Sequence, residues 1–216
     1  MSEQCHPLRK THDKAHTPPI TSLLPVSISL LTFADIVHVF FRLQASSKQK
    51  PQPPTDKPTS LTTKNMQPLN LPPYDYRTRT QQGRTAIYDR LRRRYVALTP
   101  EEWVRQHFVH FLIEHKHFPA MLMANEVSLE LNGTTRRCDT VLCHREGGRP
   151  RLIVEYKAPT VEITQATFNQ IVAYNSVLHA DYLIVSNGLQ HYCYRVDYAT
   201  GSGCFLPDIP DYSELF

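Results

Sequence analysis

The stretch Arg151-Leu-Ile-Val-Glu155-Tyr-Lys157-Ala-Pro159 decides how this 216-residue sequence is read. Leu152, Ile153 and Val154 make a run too apolar for a solvated edge, which predicts a strand covered on both faces. Glu155 and Lys157 then share one face, about 6.6 Å apart along the strand. A carboxylate and an ammonium at the end of such a strand are costly to desolvate unless they have partners.

The preceding apolar run, Arg137-Cys-Asp139-Thr-Val-Leu142, supplies one. If the hairpin closes over Glu146-Gly147-Gly148, the numbers of paired residues sum to 294 and Asp139 faces Glu155. The two carboxylates would then lie about 5 Å apart across the strands. A two-residue Gly-Gly turn gives a sum of 295 and sends Asp139 to the opposite face, so the pairing requires the longer turn or a bulge. Two facing carboxylates repel unless a proton or a cation sits between them. A hard divalent ion held by carboxylate oxygens and water, with substrate phosphate completing its shell, is the usual magnesium arrangement; manganese is the expected substitute. Lys157 beside it could orient and help deprotonate a water and stabilise charge on the phosphate. Residues 66–216 hold fourteen arginines but only two lysines, Lys116 and Lys157, so a lysine on this strand points to a compact, tunable ammonium.

Working outward, Thr99-Pro100-Glu101-Glu102 has an N-cap threonine, a proline at the first helical position and a capping-box glutamate. It predicts a helix to about His115, with Trp103, Phe108, Phe111 and Leu112 as buried residues. Upstream, Leu69 to Tyr76 reads as an extended, proline-marked arm. A short helix around Asp89–Arg94 is expected to lead into Tyr95-Val-Ala-Leu98. Downstream, strands are expected at Asn125–Leu131, Arg136–His144, Arg151–Lys157, Asp181–Val185 and His191–Val196, punctuated by Asn132-Gly133, Gly147-Gly148 and Asn187-Gly188. Helical spacing of Phe168, Ile171, Val172, Tyr174 and Leu178 marks a crossover helix from Thr164 to Leu178. The fold class expected is α/β, a mixed sheet of about five strands with a helix on each face.

Composition divides the chain near residue 65. All eleven tyrosines, all seven glycines and the only tryptophan follow that point, whereas eight of the seventeen prolines precede it. Residues 1–65 read as a disordered or non-native extension ahead of Met66. The apolar stretch Ile20–Phe41 is interrupted by Pro25, Asp35 and His38, and fits neither a transmembrane helix nor a signal peptide. The net charge of +4 belongs to this extension; residues 66–216 carry sixteen Lys/Arg against sixteen Asp/Glu. Bulk charge therefore gives no argument for nucleic acid, and local clustering must supply any affinity. Five scattered cysteines without a CxxC pair indicate reduced, cytoplasmic thiols. There is no glycine-rich phosphate loop.

Asp139 followed, fifteen residues on, by Glu155-Tyr156-Lys157 resembles the D…(D/E)xK signature of the PD-(D/E)xK nuclease superfamily. From Met66 onward the chain is similar to the N-terminal nuclease domain of type I restriction enzyme R subunits in its stand-alone form. The residues that carry the likeness are Leu98–Gln106, Arg137–Asp139, Val154–Pro159 and Gln170–Tyr174. The resemblance implies a restriction-endonuclease-like core, with Asp139 and Glu155 as metal ligands, the Tyr156 carbonyl as a further ligand, and Lys157 as a catalytic residue. It implies that Gln170 and Tyr174, a QxxxY element on one helix face, sit beside the site and help hold DNA. A glutamate of the first helix commonly completes such sites, and Glu102 is the candidate. The motor domain that translocates DNA in those enzymes has no counterpart here, so separate protein partners for motor or specificity functions are implied.

Two other clusters compete for function. His107, His110, His115 and His117 lack an HExxH pattern and disagree in helix face, which speaks against zinc. Arg90, Arg92, Arg93 and Arg94 form a basic knot, and Arg136 and Arg137 flank Asp139; Arg92, Arg93, Arg136 and Arg137 are the expected phosphate contacts. The function expected is a Mg2+-dependent DNA endonuclease, in restriction, defence or repair. The alternatives are a catalytically inactive DNA-binding or accessory module of the same fold, and a phosphoesterase acting on RNA or a small nucleotide.

Overall fold

The structure, a computed structural model, describes residues 66–216. The expected extension over residues 1–65 lies outside the described residues. A three-stranded antiparallel sheet comes first: β1 (Thr78–Gln81), β2 (Arg84–Asp89) and β3 (Arg94–Ala97). Helix α1 (Pro100–Glu114) follows, then β4 (Met123–Leu131), β5 (Thr134–Cys143), β6 (Pro150–Tyr156), helix α2 (Gln165–Leu178), β7 (Tyr182–Ser186), β8 (His191–Asp197) and β9 (Ser202–Leu206). Strands β4 to β9 form a second sheet in sequence order, antiparallel throughout except for the parallel β6–β7 pair that α2 connects. This is the expected α/β core with a mixed sheet, of six strands instead of about five.

The two central strands explain the apolar runs. Leu152, Val154 and Tyr156 join the core under α1 with Val104, Phe108 and Leu112. Ile153 joins the core on the α2 side with Phe168, Ile171 and Tyr174. A strand between two such cores is apolar at successive positions because neither face meets water.

The β5–β6 register matches the one the carboxylate pairing requires. Thr140 pairs with Val154, Val141 with Ile153 and Leu142 with Leu152, each summing to 294. A bulge between Leu142 and Cys143 absorbs the irregular turn below. One further step along the ladder sets Asp139 opposite Glu155.

Three expectations are corrected. Asp89–Arg94 is the turn of the β2–β3 hairpin, not a short helix. The Asp89 carboxylate accepts from the amides of Leu91 (2.8 Å) and Arg92 (2.9 Å), closing an Asx turn, and Arg93 takes a left-handed conformation at φ 53°. The α1 capping box is half formed: Thr99 accepts from the Glu102 amide at 3.0 Å, but the Glu102 side chain turns to other partners. Strands β1, β2 and β9 were not expected. In β9, a Cβ on Gly203 would lie 2.2 Å from the Arg195 carbonyl, so glycine there permits close approach to β8.

Candidate active site

The site forms where the middle of β5 and the end of β6 meet the first turns of α1 and the middle of α2. Asp139 is 8% exposed and Glu155 3%. The Tyr156 amide donates to Asp139 Oδ2 at 2.7 Å, and Arg105 Nη2 donates to Oδ1 at 2.7 Å. Both oxygens of Asp139 are therefore oriented before any ligand arrives. Lys157 Nζ donates to Glu155 Oε1 at 2.7 Å and to Gln170 Oε1 at 3.0 Å. Gln170 Nε2 in turn donates to the Tyr174 hydroxyl at 2.9 Å. The i, i+4 spacing of Gln170 and Tyr174 on α2 thus links both to the lysine.

Burial, then the neighbouring Asp139 charge, pushes Glu155 up to about 7 against the opposing Lys157. Burial likewise raises Asp139, with Arg105 opposing. Burial pulls Lys157 down, but the hydrogen bond and charge of Glu155 outweigh it and the net shift is upward. Lys157 is thus a firmly held ammonium here, suited to stabilising negative charge more than to accepting a proton.

Glu102 does not touch either carboxylate. Its own carboxylate is buried among Arg92 Nη2 (2.6 Å), Gln106 Nε2 (2.7 Å) and Arg105 Nη1, and it reaches Asp139 only through Arg105. The first-helix carboxylate whose charge acts on Asp139, Glu155 and Lys157 is Glu101. Sequence reasoning also missed Arg105 and Glu126, which meet at 2.9 Å beside Asp139. No local spacing signals this contact, because Arg105 lies on α1 and Glu126 on β4. The hint was only that Arg105 follows Glu101 and Glu102 within one turn.

Of the expected phosphate contacts, Arg93, Arg136 and Arg137 are exposed, with Arg137 paired to Glu126 at 3.1 Å. Arg92 is a correction: its guanidinium is turned inward onto Asp89 and Glu102, where it is not free to meet a phosphate. Of the histidine cluster, His107, His110 and His115 are engaged in aromatic packing. His107 lies 3.9 Å from the Trp103 ring centroid and His110 stacks on Tyr74 at 4.3 Å.

Among the described residues, no group of three or more His, Cys, Asp and Glu side chains is arranged to hold a metal ion. Magnesium, however, needs only one or two carboxylates, with water and substrate phosphate supplying the rest. Glu155 Oε2 is buried and has no hydrogen-bond partner. A buried carboxylate oxygen without a donor, opposite a second carboxylate, fits a hard cation.

A family model described as the type I restriction enzyme R protein N terminus matches residues 100–210, about half of the chain. The chain belongs to this family. The matched segment runs from the start of α1 through β9 and includes every site residue named above except Arg92 and Arg93. The family makes this a restriction-related, nuclease-like domain. A solved fragment described as an HsdR subunit of a type I restriction enzyme from Vibrio vulnificus YJ016 is 20% identical, with a TM-score of 0.42. The likeness covers 55% of this chain and 24% of that one. No curated protein matches the chain. Among the described residues no helix is long and apolar enough to cross a membrane.

Proposed function

We propose that this chain is a magnesium-dependent DNA endonuclease of restriction, defence or repair, acting in the cytoplasm on phosphodiester bonds. The observation that carries the reading is the unpartnered Glu155 Oε2, flanked by Asp139 on one side and the Lys157 ammonium on the other. Magnesium, or manganese in its place, supplies Lewis-acid activation of water and of the phosphoryl oxygen when bound. Asp139 and Glu155 would hold it, with the Tyr156 carbonyl as a further ligand. The Tyr156 amide keeps Asp139 from rotating away. Lys157, tethered by Gln170, stabilises charge developing on the phosphate. Arg136, Arg137 and Arg93 supply phosphate contacts outside the reacting centre. Partners bringing motor or specificity functions belong to the same proposal.

The test is nicking of supercoiled plasmid with magnesium and with manganese. Asp139→Ala and Lys157→Ala are each expected to lower the rate by about a hundredfold or more. A wild-type protein that leaves DNA intact with both metals overturns the reading. One observation favours a second reading, a DNA-binding module without turnover: Asp139 already has both oxygens engaged. DNA affinity that persists without cleavage would select it.

A further inference from the structure

We propose that Arg105 is the fixed second cation of this site, so that one divalent ion, not two, completes it on the Glu155 side of Asp139. The proposal rests on the metal-dependent reading above. Arg105 is 4% exposed and is surrounded by carboxylates. Nη2 lies 2.7 Å from Asp139 Oδ1, 2.9 Å from Glu126 Oε1 and 3.8 Å from Glu101 Oε1, and Nη1 donates to Glu102.

Glu126 reaches this position through the β4–β5 register. Asn125 pairs with Thr140 and Val127 with Cys138, both summing to 265, which leaves Glu126 opposite Asp139. Its φ of 59° is left-handed, uncommon for glutamate and a local bend that re-aims the side chain. Across three strands the order is therefore Glu126, Asp139, Glu155. Two-ion sites acting on phosphodiesters hold their ions about 3.5–4 Å apart around shared carboxylates. Here the place between Glu126 and Asp139 is filled by a guanidinium, which keeps its charge at any ordinary pH. The other side is different: Glu155 Oε2 is buried and has no donor. One side of Asp139 is already neutralised from within the chain, and the other awaits a cation.

The experiment is calorimetric titration of the full chain with manganese chloride, alongside thermal unfolding in EDTA and in manganese. Wild type and Arg105→Lys are expected to bind one ion. Arg105→Gln, which uncovers the Glu126–Asp139 position, is expected to bind one ion more than wild type, and its lowered melting temperature in EDTA should recover with manganese. Two ions in the wild type, or no additional ion in Arg105→Gln, overturns the proposal. If Arg105→Gln fails to fold, Glu126→Gln decides. Its manganese affinity should stay within about threefold of wild type, whereas a loss of about tenfold, roughly 1.4 kcal/mol, makes Glu126 a ligand and ends the proposal. A wild type that binds no ion defeats the metal-dependent reading and the ion on the Glu155 side with it. A gain of one ion in Arg105→Gln then still supports Arg105 as the cation between Glu126 and Asp139, and no gain overturns that too.

Discussion

The two sides of Asp139 solve the same electrostatic problem differently. On the α1 side, Glu102, Glu126 and Asp139 share the buried Arg105, Arg92 bridges Glu102 to Asp89, and Asn125 links Asp89 to Thr140. Nearly every charge there has a partner supplied by the chain. On the α2 side a short line runs from Tyr174 through Gln170 and Lys157 to Glu155, and it ends in an oxygen with no donor. The closed side has the character of structure and the open side that of a binding site. Charge density alone does not mark function; incomplete neutralisation does.

The largest expected effect tests the closed side. Glu102→Ala leaves the buried Arg105 and the half-buried Arg92 with one counter-charge fewer, and breaking a buried pair in this way costs about 3–5 kcal/mol. Urea unfolding should show that loss. A cost below about 1 kcal/mol would mean that the α1 network is dispensable and the contrast between the sides is false.

Much of the open side was legible in the sequence, and almost none of the closed side. The apolar run 152–154 predicted a strand covered on both faces, and the required register, with sums of 294, follows from alternation plus one bulge. Strand periodicity puts Lys157 on the face of Glu155, and helix periodicity puts Gln170 and Tyr174 on one face. The position of that helix face beside the lysine was implied by the family resemblance alone. The Arg105 network was invisible because it joins α1, β4 and β5, and no local period relates them. The turn at Asp89–Arg94 misled for a different reason. Its left-handed residue is Arg93, where glycine or asparagine would have signalled a turn. Glu102 shows that a motif can be half right: the cap is real, and the carboxylate is employed elsewhere.

The next effect is a pH dependence on the open side. Glu155 is raised to about 7 by burial and by Asp139, so the folded state keeps a proton that the unfolded state has already released. For a carboxyl group shifted upward, stability falls as pH rises from the ordinary carboxylate range through the folded value, here from about 4.5 to about 7. Metal-free wild type is expected to lose stability across that window, and Glu155→Gln to lose distinctly less. Parallel melting curves for the two proteins in EDTA would show that Glu155 is not the strained group. Magnesium affinity should rise over the same window, because protons and cations compete for the same oxygen.

A smaller effect should come from Gln170→Ala. It removes one hydrogen bond, worth about 1 kcal/mol, from an ammonium that keeps Glu155. Plasmid nicking should fall by about three- to tenfold with little change in melting temperature. An effect as large as that of Lys157→Ala would make the amide a direct participant instead of a tether.

The smallest effects separate the arginines, and they carry the comparison to the surface. Arg93 and Arg136 are exposed, whereas Arg92 is locked between Asp89 and Glu102. Each exposed arginine that meets a phosphate releases about one counterion, so Arg93→Ala and Arg136→Ala should each reduce the salt slope of DNA binding by about one unit while leaving stability unchanged. Arg92→Ala should do the reverse, lowering stability because two buried carboxylates lose a donor and leaving the salt slope alone. Fluorescence anisotropy across a salt series, paired with urea unfolding, reads both quantities on the same variants. If Arg92→Ala flattens the salt slope as much as Arg93→Ala, the inward guanidinium turns outward to meet DNA, and the α1 network is as open as its neighbour.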